Sequence, residues 1–189
     1  MTAQVLLVRH TLVAKAWSGR CYGRSDMGLS RDGMAMMRTL AEELAAQSFA
    51  TIVHSGAIRT RVLAERVATL TGRPIAADPR WLERDFGTWE GRSWQAIWRK
   101  TGDLMDRMMT DPAGFNPGDG ESGQELSTRA RAAWDALPTD GDTLVVSHGG
   151  PIAAIRTSLA GLPMERMIQA VPSCGSWIVL PRSAIEARR

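Results

Sequence analysis

The sequence predicts an α/β fold with three α/β/α layers, in which a mostly parallel central sheet carries helices on both faces. Three short apolar runs are each followed by a polar residue, a turn and a helical pattern. Apolar runs of this length are typical of strands covered on both faces. The composition, 44% hydrophobic and 23% charged over 189 residues, suits a globular protein with a sizeable core. No repeat or second core is evident, so we expect a single domain over residues 1–189.

The elements follow from these patterns in chain order. Apolar runs predict strands over 5–8, 51–53 and 143–146, and a late strand within 173–180. Three- and four-residue apolar spacing predicts helices over 33–47, 57–70, 93–109 and about 122–137, with another after Pro151. Ser122 followed by Glu125 is typical of a helix N-cap. Residues 111–120, with two prolines and three glycines, predict a loop.

The charge and cysteine content narrow the classes of partner. The formal charge is +3, but the arginines are scattered rather than gathered into a basic run. We therefore expect no nucleic-acid partner, although a mild cationic excess suits the attraction of phosphate-bearing anions. Cys21 and Cys174 show no CxxC spacing, so neither a disulfide nor a zinc site is indicated. The apolar run near the N-terminus is too short for a membrane span or signal sequence, and we expect a cytoplasmic protein without a membrane partner.

All three histidines lie at or just past a predicted strand end. In open α/β sheets, ligands bind in the crevice outside the carboxyl ends of the strands. His10, His54 and His148 could therefore face one crevice, with Arg9 beside the first and Arg59 one turn into the helix after the second. A single histidine at such a place is more often structural, but two with arginines beside them favour a functional site.

Arginine and histidine together favour an anion rather than a metal. Arginine cannot ligate a metal, its charge repels a divalent cation, and no carboxylate cluster accompanies these residues. Guanidinium groups bind phosphate through paired hydrogen bonds, and backbone N–H groups at a helix start after Gly149 and Gly150 would add to the field. Phosphoryl transfer needs a nucleophile, and imidazole is the strongest candidate. We expect no metal and no cofactor.

Motifs along almost the whole chain resemble the histidine phosphatase, or phosphoglycerate-mutase-like, superfamily. Their order and spacing together carry the resemblance. They are Leu7-Val8-Arg9-His10-Thr11, Gly23-Arg24-Ser25-Asp26, Leu29-Ser30-Arg31-Asp32-Gly33, Ser55-Gly56-Ala57-Ile58-Arg59-Thr60-Arg61, Leu82-Glu83-Arg84-Asp85-Phe86-Gly87-Thr88-Trp89-Glu90-Gly91, Gly120-Glu121-Ser122 and Val146-Ser147-His148-Gly149-Gly150.

The resemblance implies a role for each matched residue. His10 would be the phospho-accepting nucleophile, Arg9, Arg59 and His148 would surround the phosphoryl group, and Glu83 would be the general acid. These five form the predicted catalytic set. A carboxyl in that role must hold its proton part of the time, so we expect a rate optimum on the acidic side of neutral. The predicted substrate- or phosphate-binding set is Arg9, Thr11, Tyr22, Gly23, Arg59, Glu83, His148 and Gly149.

The sequence departs from the family pattern at several positions. Thr11 stands where a glycine is usual, and its hydroxyl could lie near the phosphate or narrow the pocket. Ala16 replaces an asparagine that often reaches the phosphate. His54 is expected to be a structural or rim residue. Residues 81–125 are predicted to form a cap over the active site, from which Trp94 or Trp98 could stack on a flat substrate moiety.

The resemblance implies a phosphomonoesterase that acts on small molecules. Hydrolysis is favoured over mutase activity because mutases of the family are usually longer. The motifs look most like the α-ribazole phosphatase branch of cobalamin synthesis, whose substrate carries a flat aromatic base. Two alternatives stay open: a phosphoglycerate mutase-type phosphotransferase and a non-catalytic binder of phosphorylated ligands. The sequence does not decide between a monomer and a homodimer.

Overall fold

The structure is a computed structural model that describes residues 3–182, and it contains one five-stranded sheet. Its strands lie in the order β3-β2-β4-β1-β5. The first four strands, β1 to β4, run parallel to one another. β5 pairs antiparallel with β1 at one edge of the sheet. In the register of the sheet centre, Val8 of β1 lies opposite Val146 of β4. The strands are β1 (Gln4–Arg9), β2 (Thr51–His54), β3 (Ile75–Ala77), β4 (Thr143–Ser147) and β5 (Trp177–Pro181).

Helices cover both faces of this sheet, as the alternation of side chains along β1 requires. Leu6 and Val8 pack on one face with α1 and α2, whereas Val5 and Leu7 pack on the other with α5 and α6. The predicted three-layer α/β/α fold is confirmed. The helices are α1 (Arg31–Ala45), α2 (Ile58–Thr71), α3 (Trp94–Thr101), α4 (Arg107–Thr110), α5 (Gly123–Asp135) and α6 (Gly149–Leu159).

The structure differs from the predicted elements at two places, one helix and one strand. The single helix expected over 93–109 is wrong: α3 ends at Thr101, a 3₁₀ turn follows over Gly102–Asp106, and α4 is only one turn long. Gly102 has a φ of +51°, a conformation that ends a helix and favours glycine. The edge strand β3 was not predicted, because its apolar residues Ile-Ala-Ala form a run of only three, and all three are exposed.

The helix expected after Pro151 begins two residues earlier, at Gly149, with His148 as its N-cap. A proline is tolerated there because the N–H groups of the first turn have no partner within the helix. The Ser122 N-cap is confirmed: its side chain accepts a hydrogen bond from the Glu125 amide at 3.1 Å, and the Glu125 carboxylate accepts from the Ser122 amide at 2.7 Å.

The region over 81–125 has a small apolar cluster apart from the two sheet-facing clusters. Cys21, Trp89, Ile97 and Phe115 are its buried members. Gly87 and Gly118 lie so close that a Cβ on either would overlap the backbone of the facing turn. These contacts join the loop after Phe86 to the loop before α5. Within residues 3–182, no helix is both long and apolar enough to cross a membrane.

Candidate active site

The carboxyl ends of β1, β4 and β2 lie at the same edge of the sheet. They bring together four of the predicted catalytic residues, Arg9, His10, Arg59 and His148. His10 follows β1 and donates its amide to the carbonyl of Ser147, the last residue of β4, at 3.1 Å. His148 is the next residue after β4, and Arg59 lies in the first turn of the helix after β2. The ring centroids of His10 and His148 are 5.2 Å apart.

The two nitrogens of His10 have different environments. The imidazole is fully buried, and its Nδ1 lies 2.8 Å from the carbonyl oxygen of Thr11. A carbonyl can only accept, so Nδ1 carries the proton and the lone pair lies on Nε2. Nε2 is buried and has no hydrogen-bond partner within the described residues. Burial, together with the positive charge of Arg59, lowers the pKa of His10 to about 3, so the ring is neutral at ordinary pH.

Arg59 and His148 form one hydrogen-bonded unit beside His10. The Arg59 side chain is fully buried, and its Nε donates to His148 Nδ1 at 3.2 Å. Its Nη2 donates to the Gly23 carbonyl at 2.6 Å and its Nη1 to the Ser25 carbonyl at 2.8 Å. Burial, and next the charge of Arg59, lower the pKa of His148 well below its usual range. The site is therefore cationic through guanidinium rather than through imidazolium.

A chain of hydroxyl groups lies behind His148. Since arginine can only donate, His148 Nδ1 accepts, and its Nε2–H donates to Ser55 Oγ at 2.7 Å. Ser55 Oγ lies 2.8 Å from Thr60 Oγ1, which donates to the Ala57 carbonyl at 2.9 Å. The directions of these bonds agree along the whole chain. We call these three side chains the His148 relay: His148, Ser55 and Thr60.

Arg9 has an N–H group without a protein partner. Its Nη1 donates to the Pro172 carbonyl at 2.6 Å, while its buried Nε has no partner within residues 3–182. Gly149 is close enough that a Cβ there would lie 3.2 Å from Arg9 Cζ. The unpartnered atoms Arg9 Nε and His10 Nε2 are thus a donor and a nucleophilic nitrogen at one strand end.

The Glu83 side chain packs against the N-terminus of α6. Its Oε1 accepts from the Arg84 amide at 2.8 Å and from the Gly150 amide at 3.0 Å, while Oε2 has only a longer contact of 3.3 Å with Gly150. A Cβ at Gly150 would overlap Oε1, so this close approach requires glycine. The glutamate side chain is buried. Oε2 is therefore the carboxylate oxygen with the greater freedom to exchange a proton with a ligand.

Glu90 organises the loop whose carbonyls hold Arg59. Its carboxylate accepts from the amides of Arg24 at 2.8 Å and Ser25 at 2.7 Å, and from the Ser25 hydroxyl at 2.6 Å. Gly23 has a φ of +34°, and a Cβ there would overlap the Glu90 carboxylate. Gly23 was predicted as a binding residue, and in the structure its carbonyl positions Arg59.

The remaining predicted residues have varied positions. The Thr11 hydroxyl donates to the Gly33 carbonyl at 2.9 Å, so its proton is engaged at the start of α1. The Tyr22 ring lies over the guanidinium of Arg59, with 5.4 Å between Cζ and the ring centroid. His54 Nδ1 accepts from the Gly56 amide at 3.0 Å, as expected for a structural histidine.

Sequence reasoning assigned no role to several residues that the structure places around the site. Ser55, Thr60 and Glu90 lie within the quoted motifs, which were the only signal for them. Arg129 had no signal. Its guanidinium pairs with Glu121 at 2.7 Å and donates to the Leu82 carbonyl at 2.8 Å, and so fixes the backbone just before Glu83.

A cavity of about 310 Å³ is lined by two of the five predicted catalytic residues, Arg9 and Glu83, whereas His10, Arg59 and His148 are not among its described lining residues. Arg9, Tyr22, Glu83 and Gly149 contribute to its lining. Trp94 also lines it, whereas Trp98 is 58% exposed and is not among the described lining residues. Among residues 3–182, no group of three or more histidine, cysteine, aspartate or glutamate side chains lies close enough to hold a metal ion.

Comparisons with known proteins found a matching family and relatives over most of the chain. The family described as "Histidine phosphatase superfamily (branch 1)" matches residues 5–184. The protein named Probable phosphoglycerate mutase GpmB of Yersinia enterocolitica is 31% identical over 163 residues, which are 85% of this chain and 76% of that protein.

Solved structures of phosphatases superpose on most of the chain. The mycobacterial glucosyl-3-phosphoglycerate phosphatase with inorganic phosphate is 25% identical, with a TM-score of 0.82 over 94% of this chain and 89% of that one. The α-ribazole phosphatase of Shigella flexneri is 23% identical, with a TM-score of 0.79 over 93% and 89% of the two chains. At that identity, the second likeness supports the fold alone.

Proposed function

The chain belongs to the histidine phosphatase superfamily and is a phosphatase, and we propose that it hydrolyses phosphomonoesters through a phosphohistidine on His10, without a metal ion. One observation carries this proposal: His10 Nε2 is buried and has no hydrogen-bond partner among the described residues. It carries no proton, because the proton of the neutral ring lies on Nδ1, which donates to the Thr11 carbonyl. The low pKa of about 3 keeps this nitrogen nucleophilic down to acidic pH.

In the first half-reaction, His10 Nε2 attacks phosphorus and the ester P–O bond breaks. The Nε–H of Arg9, which has no partner among residues 3–182, is available to a phosphate oxygen. The buried charge of Arg59 stabilises the equatorial oxygens as negative charge moves onto them. Glu83 gives its proton, from Oε2 in our proposal, to the departing alkoxide. The products are an alcohol and N-phosphohistidine.

In the second half-reaction, water attacks the phosphorus atom and the N–P bond breaks. The Glu83 carboxylate now takes a proton from that water, so each group returns to its starting state. Inorganic phosphate leaves, and the lone pair returns to His10 Nε2. The two backbone amides that hold Oε1 keep the carboxylate in place through both steps.

For the natural substrate, we propose a phosphomonoester with a flat aromatic group, such as α-ribazole 5′-phosphate. The support is Trp94 in the lining of the cavity and the motifs of the α-ribazole branch. The cap formed by residues 81–125 stays part of this proposal, as does the set of five catalytic residues. The mutase alternative is favoured by one observation, the 31% identity to the Yersinia protein named as a mutase.

The test uses turnover of p-nitrophenyl phosphate with EDTA present throughout. Wild type is expected to be active, His10→Ala inactive by at least about a thousandfold, and the matched control His54→Gln active. Rapid quenching is expected to trap an acid-labile, alkali-stable phosphoenzyme in wild type only. Activity of His10→Ala near the wild-type level, or loss of wild-type activity in EDTA, would overturn the proposal. Net interconversion of 2- and 3-phosphoglycerate faster than their hydrolysis would favour the mutase instead.

A further inference from the structure

The cavity lined by Arg9 and Glu83 is mostly apolar away from these two groups. We propose that this cavity is a leaving-group site that selects uncharged, ring-bearing phosphomonoesters over compact anionic ones such as phosphoglycerate. The inference rests on the proposed function, because it concerns the alcohol half of the same substrate. The volume of the cavity, about 310 Å³, lies within the range of small-molecule sites.

One wall of the cavity comes from the predicted cap. Phe86, Trp94 and Met108 line it, and none of the three is fully buried. The Phe86 and Trp94 rings meet edge to face, with centroids 5.8 Å apart and planes at 84°. This pair presents aromatic surface to the cavity in a fixed arrangement, which is suited to contact with another ring.

A second wall comes from the 3₁₀ helix Met164–Ala170 and the residue that follows it. Met164, Met167, Ile168 and Val171 line the cavity here. Ile168 is 49% exposed and Val171 39% exposed, so their apolar surface is available to a ligand. Methionine side chains adapt to the shape of a bound group.

The arginines of the outer cavity donate to backbone carbonyls. The Arg84 guanidinium donates to the carbonyls of Glu121 and Phe115, at 2.8 and 2.9 Å. Arg20 donates to the Gly91 carbonyl at 2.7 Å. These bonds leave both positive charges in place, and Glu165 on the second wall is exposed. The basis for selection is therefore the apolar lining, on which a neutral ring would bury apolar area and a carboxylate would lose water of hydration.

The test compares phosphate esters of primary alcohols, so that the reactivity of the leaving group is similar across the series. The substrates are 2-phenylethyl phosphate, propyl phosphate, glycerol 3-phosphate and 3-phosphoglycerate. Wild type is expected to have a kcat/KM for 2-phenylethyl phosphate about tenfold or more above that for propyl phosphate, and still further above that for 3-phosphoglycerate, because a buried phenyl ring adds apolar contact.

Matched pairs of variants locate the effect. Trp94→Ala and Met108→Gln are expected to lower the ratio of kcat/KM for the phenyl ester to kcat/KM for propyl phosphate about tenfold. Their controls, Trp98→Ala and Met109→Gln, change the same residue types at exposed positions outside the described lining and are expected to keep the wild-type ratio. Glu165→Gln is expected to raise kcat/KM for 3-phosphoglycerate severalfold relative to that for the phenyl ester.

The failure of this inference differs from the failure of the proposed function. If wild type hydrolyses none of the four esters nor p-nitrophenyl phosphate, the phosphatase proposal itself is wrong. If it hydrolyses all four with similar kcat/KM, or prefers 3-phosphoglycerate, the phosphatase stands and the selective cavity does not. The same conclusion holds if the Trp94 and Trp98 variants behave alike.

Discussion

The orientation of the Arg59 guanidinium depends on the side chain of its chain neighbour Thr60, although no hydrogen bond joins the two side chains within residues 3–182. Thr60 donates to the Ala57 carbonyl, so its oxygen accepts from Ser55, which in turn accepts from His148 Nε2. This direction leaves His148 Nδ1 as an acceptor for Arg59 Nε. The relay therefore sets the tautomer of His148, and through it the orientation of the guanidinium. Thr60 is a positioning residue in this account.

We expect Thr60→Val to raise the inhibition constant of inorganic phosphate about tenfold, with a smaller change in kcat, because an unpaired Ser55 hydroxyl loosens His148 and Arg59. The ¹⁵N chemical shifts of His148 should move toward a mixture of tautomers, a change that a general loss of packing would not produce. The control is Thr69→Val, whose exposed hydroxyl bonds only to the Glu65 carbonyl in the same helix. A wild-type tautomer with unchanged phosphate inhibition in Thr60→Val would contradict the relay.

At the level of single residues, the sequence predicted chemical type better than partner. His10, Arg59 and His148 were identified from strand ends and motifs, and the structure brings them together. The Thr11 hydroxyl was considered near the phosphate, yet it donates to the Gly33 carbonyl. Hydrogen-bond partners distant in the chain depend on how α1 packs against β1, and no local pattern encodes that packing.

At the level of elements, the N-terminus of α6 positions Glu83, the proposed general acid and base. The Gly150 amide donates to Glu83 Oε1 and so fixes the place of the carboxyl group beside the cavity. The carboxylate is thus held by one helix and by the backbone of its own loop. Arg129 of α5 fixes that loop through the Leu82 carbonyl.

We expect Glu83→Gln to lower kcat/KM for 2-phenylethyl phosphate about a hundredfold or more, but for p-nitrophenyl phosphate less than about tenfold. The alkoxide needs a proton to leave, whereas p-nitrophenolate does not. Glutamine keeps an acceptor oxygen for the Gly150 amide, so urea unfolding should change little. Glu43→Gln on the exposed side of α1 serves as the control. Equal losses with both substrates would show that Glu83 acts by some means other than proton transfer.

At the level of the whole molecule, buried neutral histidines link stability to pH. The pKa of His10 falls from an ordinary 6.5 to about 3, and that of His148 is also lowered, with burial as the largest cause for both. Below pH 6.5, the unfolded chain binds protons that the folded chain does not bind. The free energy of unfolding is therefore fully present above about pH 6.5 and is lost as the pH falls toward the folded pKa values.

We expect the free energy of unfolding to fall by about 1.5 kcal/mol between pH 6.5 and pH 5 from His10, with a further fall in the same direction from His148. His10→Gln should reduce the slope in the acidic part of this window by about 1.4 kcal/mol per pH unit, because one titrating group is gone. Urea unfolding in phosphate-free buffers measures this, since a bound anion would add stability of its own. Identical slopes for wild type and His10→Gln would mean that His10 titrates normally in the folded protein.

The fold class could be predicted from the sequence because burial on both faces of a strand leaves a local mark. The apolar runs of β1, β2 and β4 each show it, and so do the apolar faces of α1 and α5. The short edge strand β3 has no such mark, since its residues are exposed and only pairing with β2 makes it a strand. The break at Gly102 was also missed, because a helical pattern continues on both sides of one glycine.

By itself, the sequence determined the three-layer architecture, the strand ends that carry histidine and arginine, and the family of the chain. These depend on residue type and on spacing along the chain. The tertiary structure alone decided which His10 nitrogen is free, which way the His148 relay runs, and that the segment Met164–Ala170 lines the same cavity as Phe86 and Trp94. Such features depend on the directions of hydrogen bonds and on contacts between distant segments, which form only when the whole chain is packed.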